Sequence, residues 1–186
     1  MKIDFDAFFA GQANFADMVR DVQYADLYRL TDELFDGFAS ELAKATDAAI
    51  LFVPHDPVAS DDSEQGWTLS HVIAHLTASL EEGSTVAALL ARGVQVKERL
   101  RLEMPWQQLS TVQLVQARLR ECHRMCRAFL DAWPDEPKLD MTVTLIPRFG
   151  PLNAIGLYML GIGHGQRHLD QVRDTLRQYA VHVKEG

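Results

Sequence analysis

The sequence predicts an all-α fold: a four-helix bundle with long crossover connections and a short N-terminal helix. Three observations carry that expectation. Strand-like alternation is nearly absent from the 186 residues, apolar residues recur at three- and four-residue spacing in four long segments, and the connections between them are too long for tight hairpins. With no compositional break, the chain fits one domain, residues 1–186, long enough to bury a substantial core.

The N-terminal piece carries Phe5, Phe8, Phe9 and Phe15 and reads as a short amphipathic helix that packs on the bundle or on a second subunit. The first long helix is expected over about residues 20–50, where Leu27, Leu30, Leu34, Phe38 and Leu42 form one apolar stripe and Asp32, Glu33 and Lys44 lie off it. Pro54 follows its end. The second helix opens at Thr68, whose hydroxyl can cap the run "WTLSHVIAHL", and it fades near Gly93. The third begins at "LSTVQL", where Ser110 and Gln113 have capping-box spacing. It continues through Val115, Leu119, Cys122, Cys126 and Phe129 until "WPDEP" stops it. The fourth starts after Gly150, with Pro151 in its first turn, and runs to about Tyr179. Its first half is apolar almost all round and should be the most buried. The connections at 53–67, 94–109 and 133–149 are each long enough to cross a bundle end.

Composition narrows the function. A net charge of -8, with no basic run interleaved with aromatics, argues against a nucleic-acid partner. The start "MKIDFDAFFAGQANFADMV" has one lysine, several aspartates and no long apolar run, unlike a signal peptide. The longest apolar stretch, "FGPLNAIGLYMLGIGHG", is broken by glycines and contains His164, unlike a membrane span. A cytoplasmic protein without membrane partners is the expectation. Cys122 and Cys126, four residues apart, suit neither a disulfide framework nor a CxxC motif and read as reduced core residues.

The histidines carry the chemistry. In "LGIGHGQRHLDQV", His164 and His168 stand four apart, so on a helix both imidazoles can lean onto one ion whose bonds are about 2 Å long. Such pairs arise often by chance, and a third ligand must come from another helix. "HVIAH" in the second helix offers His71 and His75. His75 lies about 120° from the centre of the stripe of Leu69, Val72, Ile73, Leu76 and Leu80, and His71 about 160°. His75 therefore flanks the core. His71 faces away, occupies the place of a capping-box acid, and reads as a first-turn polar residue. His123 borders the third helix's core stripe with no chelating partner one turn away, while His55 and His182 fall in a loop and a tail and read as solvated.

A Trp67–Thr68 opening, an apolar helix with "AHL" bringing His75 eight residues after the tryptophan, and a last helix carrying His164, His168 and Gln171 resemble the DinB/YfiT superfamily of four-helix-bundle proteins. The resemblance spans the chain in order and length. It implies a DinB-like bundle that binds one divalent transition metal, zinc or nickel among others, through His75, His164 and His168. It also implies a small-molecule substrate, since characterised enzymes of the superfamily include transferases and isomerases that use low-molecular-weight thiols such as bacillithiol and mycothiol. Bundles of this type are often homodimers. The chain departs from the pattern at His71, which replaces the capping-box acid or amide, and at Gly163 and Gly165, which either permit close helix approach or loosen the ligand between them.

Three neutral histidines around an ion leave a coordination position open, the pattern of a catalytic site. A thiol there needs little help, because coordination removes its proton. Zinc hydrolases usually place a carboxylate beside their water, and neither HxxxH pair here contains one. Glu82 returns to the face of His75 more nearly than Glu81, yet it reads as a surface acid. The leading expectation is a metal-dependent S-transferase. A metal-dependent hydrolase comes second, and a non-catalytic binding or dimerisation module, favoured by the aromatic N-terminal segment, comes third. Ser79 and Gln171, each one turn from a candidate ligand, are placed to orient imidazoles.

Overall fold

The computed structural model describes residues 1–56, 66–100 and 102–185. Among them regular structure is helical, apart from one isolated antiparallel bridge between Val143 and Leu152. The helices are α1 (Phe5–Phe9), α2 (Phe15–Met18), α3 (Tyr24–Leu42), α4 (Asp47–Leu51), α5 (Leu69–Ala91), α6 (Val112–Asp131) and α7 (Ala154–Glu185).

The four long helices, α3, α5, α6 and α7, make the bundle. Both α3 and α5 pack on α6 and on α7. Contacts between the helices and at their ends set the directions. Thr31 meets Tyr158, and Gly37 meets Leu169 further along, so α3 and α7 run parallel. Tyr24 reaches Leu130 while Gln116 reaches Leu42, so α3 and α6 are antiparallel. His75 faces His168 while Gly83 faces Leu157, so α5 and α7 are antiparallel. Consecutive α5 and α6 are parallel, since Ser70 reaches Leu109 at one end and Lys138 reaches Ala91 at the other.

Parallel neighbours change the role of one connection. The segment expected over 94–109 does not cross a bundle end; it returns along the whole of α5, about 35 Å at 1.5 Å per residue. It delivers Arg99 to Glu82, Glu103 to His75 and Trp106 to His71 on the way.

Other boundaries move for local reasons. The expected helix over 20–50 begins at Tyr24, where Gln23 and Asp26 form a capping box, and it breaks after Leu42. Thr46 restarts the chain as α4 by accepting a bond from the Ala49 amide, the competing local bond that threonine offers a helix. Thr111, not Ser110, caps α6, accepting from the Leu114 amide. Pro151 lies before the helix, because Asn153 accepts from the Gly156 amide and α7 begins at Ala154. It continues past Tyr179 to Glu185, so His182 sits on an exposed last turn rather than in a tail.

Of the two surfaces open to the N-terminal segment, it packs on its own bundle. Phe5 and Phe15 are buried, Phe8 stacks on Phe149 at 4.8 Å, and the Gln166 side chain holds Ile3 N–H and Met1 C=O. The two glycines beside His164 are there for close approach. A Cβ at Gly163 would lie 2.7 Å from Phe5 Cε2, and one at Gly165 2.6 Å from Leu34 Cδ2. Cys122 and Cys126 are buried and free, and burial pushes the Cys122 thiol well above its ordinary range. No helix among the described residues is long and apolar enough to cross a membrane.

Candidate metal centre

The seam between α5 and α7 brings together the three histidines singled out in the sequence. Nε2 of His164 lies 3.1 Å from Nε2 of His75 and 3.1 Å from Nε2 of His168. The donor atoms of all three lie within 4.8 Å of one another, a group that could hold a metal ion. Four ligands at about 2.05 Å in a tetrahedron stand roughly 3.3 Å apart, close to the two 3.1 Å separations from His164.

The outward nitrogens explain why the rings point inward. His168 Nδ1 is 2.8 Å from Gln171 Oε1, and the Gln171 amide in turn donates to Asp56 Oδ2 at 2.7 Å. That chain fixes the Gln171 oxygen toward His168, so Nδ1 carries the proton and Nε2 presents a lone pair. Glu103 Oε2 stands 3.5 Å from His75 Nδ1, long for a hydrogen bond but enough to favour the proton on that side. Two lone pairs thus face His164 Nε2, which can supply at most one proton. A cation between the three nitrogens relieves that conflict, so the donor set fits a divalent ion. Burial pushes His168 down to about 4, against the hydrogen bond it donates to Gln171, so its ring is neutral near pH 7 as a ligand must be.

A cavity of about 1180 Å³ opens from the three rings. Ser79, Glu82 and Arg99 line it along α5, and Val143, Leu145 and Ile146 give it an apolar side. Glu82 is a correction to the sequence reading. It is buried, not a surface acid, and takes the Arg99 guanidinium through Nε at 3.0 Å and Nη2 at 2.5 Å. Glu81 instead pairs with Arg118 at 2.7 Å, away from the cavity lining. Of the two candidate orienting groups, Gln171 bonds its imidazole; Ser79 lines the cavity, and His75 Nδ1 faces Glu103.

The remaining histidines stand elsewhere. His71 is stacked between Trp67 at 4.1 Å and Trp106 at 5.6 Å, outside the cluster of three. His123 pairs with Asp32 on the α3–α6 seam, and His55 is exposed. Sequence reasoning missed Glu103, Asp56 and Arg99. All three sit in irregular segments, where no period says which way a side chain points.

A helical bundle with three inward-facing histidines on one seam, open to a large cavity, defines a class of candidate metal-binding bundle. The chain belongs to the DinB superfamily, whose sequence profile matches residues 23–172. Neither a curated protein nor a solved structure matches it.

Proposed function

We propose that His75, His164 and His168 hold one divalent transition metal, zinc or nickel, and that the protein transfers a low-molecular-weight thiol to a small electrophile. The observation that carries this reading is the convergence of three Nε2 atoms, with Glu103 and Gln171 at the Nδ1 atoms of His75 and His168 turning those two lone pairs inward. An ion bound there supplies positive charge that favours a thiolate at neutral pH.

The chain's own groups favour thiol transfer over hydrolysis. Glu103 stands at the far nitrogen of His75, Glu82 is taken by Arg99, and Asp56 is taken by Gln171. Each is committed away from the role of a base beside water, a role that a thiol route does not need. The apolar wall of Val143, Leu145 and Ile146 suits the carbon skeleton of an electrophile. A homodimer belongs to the proposal too, and a monomer mass in sedimentation would remove it.

Elemental analysis of wild type beside His164→Ala, after dialysis against a weak chelator, tests the ion. About one equivalent in wild type alone is expected. No metal in either protein, even after reloading with zinc or nickel, would overturn the reading. The loaded protein is then assayed with thiols and electrophiles. Cleavage of esters or amides without added thiol would establish the hydrolase instead.

A further inference from the structure

The cavity extends beyond the histidines to a wall supplied partly by residues outside the family match, among them Ile3, Phe5 and Phe9. Phe9 is 48% exposed, and two guanidiniums stand over its ring. The Cζ atoms of Arg148 and Arg167 lie 5.3 Å and 5.2 Å from its centroid, and Arg167 also lies 5.8 Å from the Phe5 ring. Both arginines line the cavity, and Arg167 stands beside His168 in the chain, one turn from His164.

The other cationic side chains of the lining are matched. Lys2 pairs with Asp170 at 2.8 Å and Arg99 with Glu82 at 2.5 Å. Among the described residues no carboxylate lies within ion-pair reach of Arg148 or Arg167, although the chain carries 26 acidic residues against 18 basic ones. A cation–π contact engages the charge of a guanidinium and leaves its N–H groups available. Sharing one ring also keeps both charges close to the same part of the cavity wall, where an anionic oxygen group bonded to one guanidinium is still attracted by the other.

We propose that Arg148 and Arg167, held by Phe9, form a recognition site for an anionic oxygen group, carboxylate or phosphate, on the small molecule handled in this cavity. The inference rests on reading the cavity as a substrate site and names the substrate class. The reactive end faces the histidines, the body lies along the apolar wall, and the anionic end meets the arginines. The N-terminal segment thereby becomes a specificity element added to the shared bundle rather than a dimerisation arm.

The test uses metal-stripped full-length protein near neutral pH and at low salt, so that its outcome does not depend on the ion. Succinate and inorganic phosphate are titrated calorimetrically, with neutral succinamide as the control. Wild type binds at least one of the anions and not succinamide; Arg148→Gln and Arg167→Gln each weaken that binding about tenfold, and the double variant abolishes it. Arg→Lys variants retain part of the affinity, and circular dichroism of all variants matches wild type. Which anion binds more tightly identifies the group. Equal binding of succinamide, unchanged binding in a folded double variant, or no anion binding to wild type would overturn the proposal.

Discussion

On the α3–α6 seam, His123 Nε2 lies 2.7 Å from Asp32 Oδ1, Arg127 shares the same carboxylate at 2.7 Å, and Phe35 stacks on the imidazole at 4.7 Å. On the α5–α7 seam, His75, His164 and His168 face one another, with Glu103 behind His75 and Gln171 behind His168. Both seams bring histidine across from one helix to the next. In the first, the polar nitrogen ends on an acid, and the half-exposed network is complete as it stands. In the second, the acids and amides orient the rings instead of satisfying the facing nitrogens. Where the partner sits, before or behind the ring, separates a histidine that ties helices together from one that presents a ligand.

The largest expected effect breaks the second seam alone. His164→Ala lowers metal content from about one equivalent to near zero, while His123→Ala leaves it unchanged, as elemental analysis will read. Acid sharpens the contrast next. Burial holds His168 near 4 in the folded chain against an ordinary 6.5, so between those values the unfolded chain binds a proton that the folded chain does not. Stability of the metal-free protein is intact above that window and falls as the pH drops through it, by at most about 3 kcal/mol. Denaturant melts from pH 7 to pH 4 should show the slope, and His168→Gln should flatten it.

Removing the groups behind the rings has a smaller effect. Glu103→Gln or Gln171→Ala should weaken metal binding by about tenfold to a hundredfold in chelator competition while the fold persists. The smallest effect belongs to the first seam. His123→Gln should cost under about 1 kcal/mol in urea unfolding, because its ion pair is partly exposed and screened.

The four long helices and the pairing of His164 with His168 were legible because both depend on helical period, which also put His75 rather than His71 beside the core; the set of three came from the family resemblance. A stripe such as Leu27, Leu30 and Leu34 names a face, and residues four apart on that face meet the same neighbour. Glu82 shows where that reasoning stops. Its register toward His75 could be read, yet its burial depends on Arg99 arriving from another segment. Glu103 was illegible for the same reason, since the path of residues 92–111 follows from α5 and α6 lying parallel. The break at Thr46 was missed because an apolar stripe continues in period across a backbone that does not.

The segment running back along α5 ties two charged contacts to one piece of chain. It is mostly exposed, held by buried Val96 and Leu109 and by Trp106 against His71. Peeling it away withdraws Glu103 from His75 and Arg99 from Glu82 together, with no long helix leaving its place. Both contacts are therefore lost in a local opening of this one segment, far faster than global unfolding of the bundle.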